Sequence, residues 1–201
     1  MNTKFFSISH SRQLITLLTL SLFTILCAGC FTMVPQFRES PMTVMPQPLD
    51  VVLLLDSDWS NASYVGGPFG EKHTYLLGES LVKYATSAAQ KSFRNVTVLN
   101  GKVPGTSPTG ATVILRPSLT RVQTVESATT GGGQKVIFLV DWTITSQSDG
   151  RILWKSSIET EGDDRNGHGS IRARAREAFE DAYQQLFIKT VTALSSSNLG
   201  H

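Results

Sequence analysis

From Val136 to Ile144 a strictly alternating set, Val136, Phe138, Val140, Trp142 and Ile144, is bulky and apolar. Side chains alternate across a strand, so this set shares one face of a sheet and calls for a covering layer. The next segment, 151–161, carries Ile152, Trp154 and Ile158 on the same two-residue rhythm. Placing both sets on one face restricts the turn between them. A two-residue Asp149-Gly150 turn would pair even with odd positions and separate the sets. A three-residue loop, Ser148-Asp149-Gly150 with Gly150 left-handed, pairs Ile144 with Trp154 and Val140 with Ile158. A slip of one residue turns every side chain over, so the three-residue bulged hairpin is the expectation.

The remaining elements follow from the same patterning. Val51 to Leu55 is an unbroken apolar run, suited to a central strand covered on both faces. Residues 72–93 read as one helix, with Leu77, Leu81, Tyr84, Ala85, Ala88, Ala89 and Phe93 on the buried side. Glu79 and Lys83 form a favourable pair on the wet side. Val96 to Leu99 is a second strand, and strand–helix–strand implies a right-handed parallel crossover. Residues 111–125 make a third strand, 126–134 a hairpin loop, and 170–195 a closing helix capped by Ser170. The expectation is an α/β (α+β) domain over 51–197. Its mixed sheet of about five strands, in the order β-α-β-β-β-β-α, is packed by two helices.

The N-terminal residues set the location. Residues 14–26 are apolar and uncharged, preceded by Lys4 and Arg12. Thirteen residues are too short to cross a bilayer core that needs about 20, and match a signal-peptide core instead. Cys27-Ala28-Gly29-Cys30 follows, and here the chain resembles a bacterial lipoprotein precursor, with Cys27 standing where that family usually has Leu. The resemblance implies that residues 1–29 are removed and that Cys30 is acylated and becomes the first residue. Phe31 stands where an Asp would imply retention at the inner membrane. The implied place is therefore the outer membrane, facing the periplasm. Residues 30–50 hold Pro35, Pro41, Pro46 and Pro48 and read as a tether reaching on the order of 60 Å in an extended polyproline form. A second reading packs its methionines and Phe37 on the domain or on a partner.

The anchor, the tether and the element order together resemble small periplasmic α/β lipoproteins. These include the Pel-export and curli-secretion lipoproteins, activators of penicillin-binding proteins, and the N-terminal domain of the Tol-system propeller protein. The textual echo is Val140-Asp141-Trp142-Thr143-Ile144 followed, through Ser148-Asp149-Gly150, by Arg151-Ile152-Leu153-Trp154. Those families bind, assemble or export, and the resemblance transfers no catalytic residue.

Composition narrows the chemistry. The chain has 18 Lys and Arg against 16 Asp and Glu, and two of the basic residues sit in the leader. The remainder is balanced, which gives no global signal for nucleic acid. Both cysteines lie at the leader junction, so no disulfide, cysteine-based metal site or catalytic thiol belongs to the domain. The histidines His10, His73, His168 and His201 show no metal-ligand spacing. The glycine-rich 66–74 stretch lacks the Gly-Lys-Ser/Thr of a phosphate loop: Glu71 would repel phosphate and Pro68 removes an N–H.

Three groups of candidate residues remain. Trp59, Tyr64 and Phe69 in a Gly- and Asn-rich loop are candidate anchors for a protein partner, or else fold back over the core. Arg172, Arg174 and Arg176 at the start of the last helix oppose its dipole. They either pair with Glu159, Glu161, Asp163 and Asp164 or bind an anionic glycolipid or glycan. Asp56, Asp58 and His73 are the set a lipid-anchored hydrolase would use. The reading is a non-enzymatic accessory or assembly subunit of an envelope export, secretion or cell-wall machine, without cofactor or metal. It meets the membrane through its N-terminal lipid, and an envelope protein partner and a homo-oligomer are both consistent with it.

Overall fold

The computed structural model describes residues 31–67, 72–101, 113–126, 133–164, 169–197 and 199. Their elements run β1 (Thr32–Met33), β2 (Gln47–Leu55), α1 (Ser57–Ser60), β3 (Ser63–Gly66), β4 (His73–Leu76), α2 (Gly78–Ser92), β5 (Phe93–Asn100), β6 (Val113–Glu126), β7 (Gln134–Ser146), β8 (Ile152–Asp163) and α3 (Ile171–Ser195). The main sheet has the order β5-β2-β6-β7-β8. In it β2 is parallel to both β5 and β6, and β6, β7 and β8 are successively antiparallel. The expected mixed five-stranded sheet and its element order are present, and Val51 to Leu55 are all buried.

Both long helices contact the face that the alternation marks. Trp142 Nε1 donates to Tyr84 Oη of α2 at 3.3 Å, and Tyr84 Oη meets Thr190 Oγ1 of α3 at 2.5 Å. Phe138 packs on Phe179 and Tyr183 of α3 with ring centroids 5.9 and 4.9 Å apart. Near its end β8 approaches α3 so closely that a methyl group on Gly162 would overlap Ala178 O and Ala182 N.

The hairpin register is as read from the sequence: Ile144 faces Trp154 and Val140 faces Ile158. The device that produces it differs. Ser146 N donates to Arg151 O and Gly150 N to Ser146 O, so the loop holds four residues, 147–150. Thr145 pairs with Ile152 while Ile144 pairs with Trp154, which leaves Leu153 as the extra residue of a bulge. Gly150 is left-handed at φ 70°, as expected. The bulge restores the face that the loop alone would have reversed.

Coverage, however, stops short of the hairpin tip. Ile158 is 5% exposed, whereas Trp154 is half-buried and Ile152 is 60% exposed. The expectation that Ile152 and Trp154 share the covered face is corrected: Trp154 lies opposite Ile144 on that side, whereas Ile152, opposite Thr145 and ahead of the bulge, lies on the other face of the sheet.

A second correction concerns residues 73–76. They form β4 rather than the first turn of α2, because His73 and Tyr75 alternate inward with Thr74 and Leu76 outward. Together β1, β4 and β3 make a small second sheet, β1 parallel and β3 antiparallel to β4. Tyr64 Oη of β3 ties it to β6, lying 3.1 Å from Thr124 Oγ1 and accepting from Thr124 N at 3.1 Å.

Candidate functional site

Residues 31–46 are not a free tether. They form a strap along the seam between α2 and α3, from one pole of the domain to the other. At the first pole Thr74 N donates to Phe31 O at 3.0 Å, and Met33 is 2% exposed. Ser80 Oγ of α2 then donates to Pro35 O and accepts from Phe37 N at 3.2 Å. The Phe37 ring enters the seam, 6.0 Å from Tyr84, 6.3 Å from Tyr183 and 5.6 Å from Phe187. At the second pole Gln47 Nε2 donates to Leu194 O at 2.7 Å, satisfying a carbonyl at the end of α3. Prolines spaced along the strap exclude helix, and the apolar residues between them supply the contacts. Sequence reasoning weighed this packing only as the second reading; the signal was the recurrence of Phe37, Met42 and Val44 among the prolines.

The first pole gathers several of the residues marked from sequence. Phe31 stacks on His73 with centroids 4.0 Å apart and planes at 20°, and meets Tyr75 edge-on at 6.2 Å. The Arg172 guanidinium carbon lies 5.7 Å from the centre of the Phe31 ring, within cation–π range. His73 is 1% exposed, under that ring.

The three arginines do not act as one cluster. On a helix Arg172 and Arg176, four residues apart, share a side from which Arg174 is turned away. Arg174 faces inward to Asp164, with Nε 3.9 Å from Oδ2 and side chains 13% and 2% exposed. That is the local pairing weighed from the sequence, realised for one arginine of the three. Arg172 and Arg176 are exposed. Lys135 is engaged with Glu161 and Asp163 across the β7–β8 edge, and its partners hold its pKa above the usual lysine value.

The aromatic-loop expectation is corrected in part. Trp59 sits on the one-turn α1, is 2% exposed, and its ring lies 6.3 Å from that of Tyr84. It is a core residue, because Asp56 Oδ1 accepts from Trp59 N at 2.9 Å and turns the chain back over α2. Tyr64 is half-buried and used in joining the two sheets. Phe69 and Cys30 lie outside the described residues.

The hydrolase set is likewise absorbed into the fold. Asp56 is the N-cap of α1, Asp58 is exposed in its first turn, and His73 is stacked under Phe31. Among the described residues no group of three or more His, Cys, Asp or Glu could hold a metal ion. No helix among them is long and apolar enough to cross a membrane.

Comparison with known proteins places the fold. The chain matches no family model and no curated protein. Among solved structures it is similar to XCC0632 of Xanthomonas campestris, described as DUF330. The identity is 13% and the TM-score 0.58, over 83% of this chain and 95% of that one. The two share a fold. Similar arrangements also occur in a minor lipoprotein of Acinetobacter baumannii, at 9% identity and TM-score 0.39 over 75% of this chain and 94% of that one. PelC of Paraburkholderia phytofirmans, solved as a dodecamer, matches at 11% and 0.34 over 73% and 94%.

Proposed function

We propose that this chain is a non-enzymatic outer-membrane lipoprotein, anchored through Cys30 and facing the periplasm. It works there as an accessory or assembly subunit of an envelope export, secretion or cell-wall machine. The observation that carries the reading is the fate of the reactive side chains. Asp56 caps α1, His73 lies under Phe31, and Arg174 is turned inward to Asp164. Groups committed to structure in this way leave binding and assembly as the work of the surface. The leader chemistry agrees with this reading.

The test begins with the mass of the protein purified from membranes. Acyl mass on a chain starting at Cys30 is expected, and its absence overturns the reading. Cys30→Ser is expected to give uncleaved or soluble material, and Cys27→Ser to be acylated as before. Separation of inner from outer membranes then reads the location. Affinity purification of the acylated protein in detergent is expected to bring down envelope protein subunits; bound glycan or lipid without protein would favour the anionic-ligand reading through Arg172 and Arg176. Native mass in the same detergent separates a single copy from a homo-oligomer.

A further inference from the structure

An acyl anchor on Cys30 would leave this domain no slack. Adjacent Cα atoms are about 3.8 Å apart, so Cys30 is one peptide away from a residue whose carbonyl and ring are both engaged by the domain. Phe31 O accepts from Thr74 N, its ring stacks on His73, and the strand that follows pairs with β4. A tether of 20 extended residues would have let the domain tumble about 60 Å from the bilayer. The strap removes that freedom and fixes which face looks at the lipid.

The face so presented has the matching chemistry. Lys72 precedes the His73 that carries Phe31, Arg172 lies over that ring, and Arg176 is one turn further along the same side of α3. All three are exposed. No carboxylate among the described residues pairs with them, whereas nearby Lys135 and Arg174 are both paired. Val65, which pairs with Thr74 next to the Phe31 contact, is 58% exposed, and Val125 at the end of β6 is 37% exposed. Basic side chains around exposed apolar ones suit a phosphate-bearing interface. The opposite pole, at the 147–150 loop, is separated by the 13 residues of β7, on the order of 40 Å at about 3.4 Å per residue. That distance is several Debye lengths at physiological ionic strength, where one is about 8 Å.

Resting on the acylation of Cys30, we infer that the Phe31 pole lies directly on the bilayer, with Lys72, Arg172 and Arg176 against the phosphates of anionic lipid. The domain then stands in one orientation, with its 147–150 loop pointing away from the membrane. The experiment uses the acylated protein in protein-free vesicles of phosphatidylglycerol and phosphatidylethanolamine, with one nitroxide at Val65→Cys or at Asp149→Cys. The Val65 probe is expected to be relaxed by lipid-soluble oxygen, and the Asp149 probe by a water-soluble nickel chelate. Lys72→Glu with Arg176→Glu leaves the Arg172–Phe31 contact in place. This pair is expected to lower the oxygen-to-nickel ratio at Val65 several-fold, with the protein still in the vesicle fraction and its circular dichroism unchanged. Phosphatidylcholine vesicles are expected to lower it likewise. Two equally wet probes on a chain that carries acyl mass overturn the orientation alone. A Val65 ratio unmoved by the charge reversals overturns the headgroup contact, and missing acyl mass overturns the anchoring reading together with this one.

Discussion

The strap of residues 31–46 and the hairpin tip of residues 147–154 are both short, irregular and partly apolar, and the domain treats them oppositely. In the strap Met33 is 2% exposed and Phe37 fills the seam between two helices. At the tip Ile152 is 60% and Leu153 37% exposed, although their strand pairs in good register with β7. Apolarity is comparable, so it does not decide the outcome. What decides it is the presence of a second surface. The strap lies over a groove already lined by Tyr84, Tyr183 and Phe187, while Ile152 lies on the face of the sheet away from α2 and α3. Burial is a property of pairs of surfaces, and only then does the transfer of apolar area stabilise the fold.

The largest expected effect separates the two tryptophans of this one sheet face. Trp142 is fully buried with its N–H on Tyr84 Oη, so Trp142→Ala is expected to cost about 3–5 kcal/mol. Trp154, half-buried toward the tip, is expected to lose about 1–2 kcal/mol on the same change, since less area leaves water when it packs. Urea denaturation of both variants checks the comparison. Equal losses would mean that the tip is covered in solution, by a partner or a second copy.

Next in size is Phe37→Ala, which removes the plug of the strap and is expected to cost about 2–3 kcal/mol, below a fully buried Phe. It also carries a pH signature. Burial pushes the Tyr84 and Tyr183 hydroxyls well above the usual tyrosine pKa. A group with a raised folded-state pKa contributes stability that is present in full below its unfolded value, about 10, and lost as pH climbs above it. The wild type is therefore expected to weaken progressively above about pH 10. Phe37→Ala wets this part of the core, so tyrosinate absorbance is expected to rise at lower pH than in the wild type. An unchanged alkaline titration would show that the strap does not shield these rings.

Much of the fold was legible because it rests on alternation and on parity. The register of Ile144 with Trp154 followed from two apolar sets having to share a face, whichever turn achieves it. The actual device, a four-residue loop with Leu153 bulged, was not legible, since two different turns give the same pairing. The strap was hidden because prolines suppress the periodicity by which packed segments are recognised; its contacts come one residue at a time. Trp59 was misplaced for a related reason. Its surroundings of Ser, Asn and Asp read as loop, and only the cap from Asp56 shows that they turn the ring inward. Of the candidate site, Arg172, Arg174 and Arg176 read as one group, and only the pairing of Arg174 with Asp164 parts it from the other two; the ring that Arg172 covers belongs to a segment read as tether.

The smallest expected effect is the sharpest test of the pairing argument. Ile152→Ser changes a residue that lies opposite Thr145, on the face away from Trp154 and Ile158, and is 60% exposed. Its apolar surface is mostly in water in the folded and unfolded chains alike, so little transfer free energy is at stake. β-propensity favours Ile over Ser at a strand position by a fraction of 1 kcal/mol. The loss is therefore expected to stay below about 0.5 kcal/mol in purified protein, within the range of ordinary surface substitutions. The same variant in intact membranes reads something else. An apolar side chain held out at the pole opposite the anchor is well placed to meet a protein partner, where its truncation would lower recovery of that partner by affinity purification. A stability loss of several kcal/mol in purified protein would instead show that the tip is folded under cover, and that the contrast with the strap does not hold.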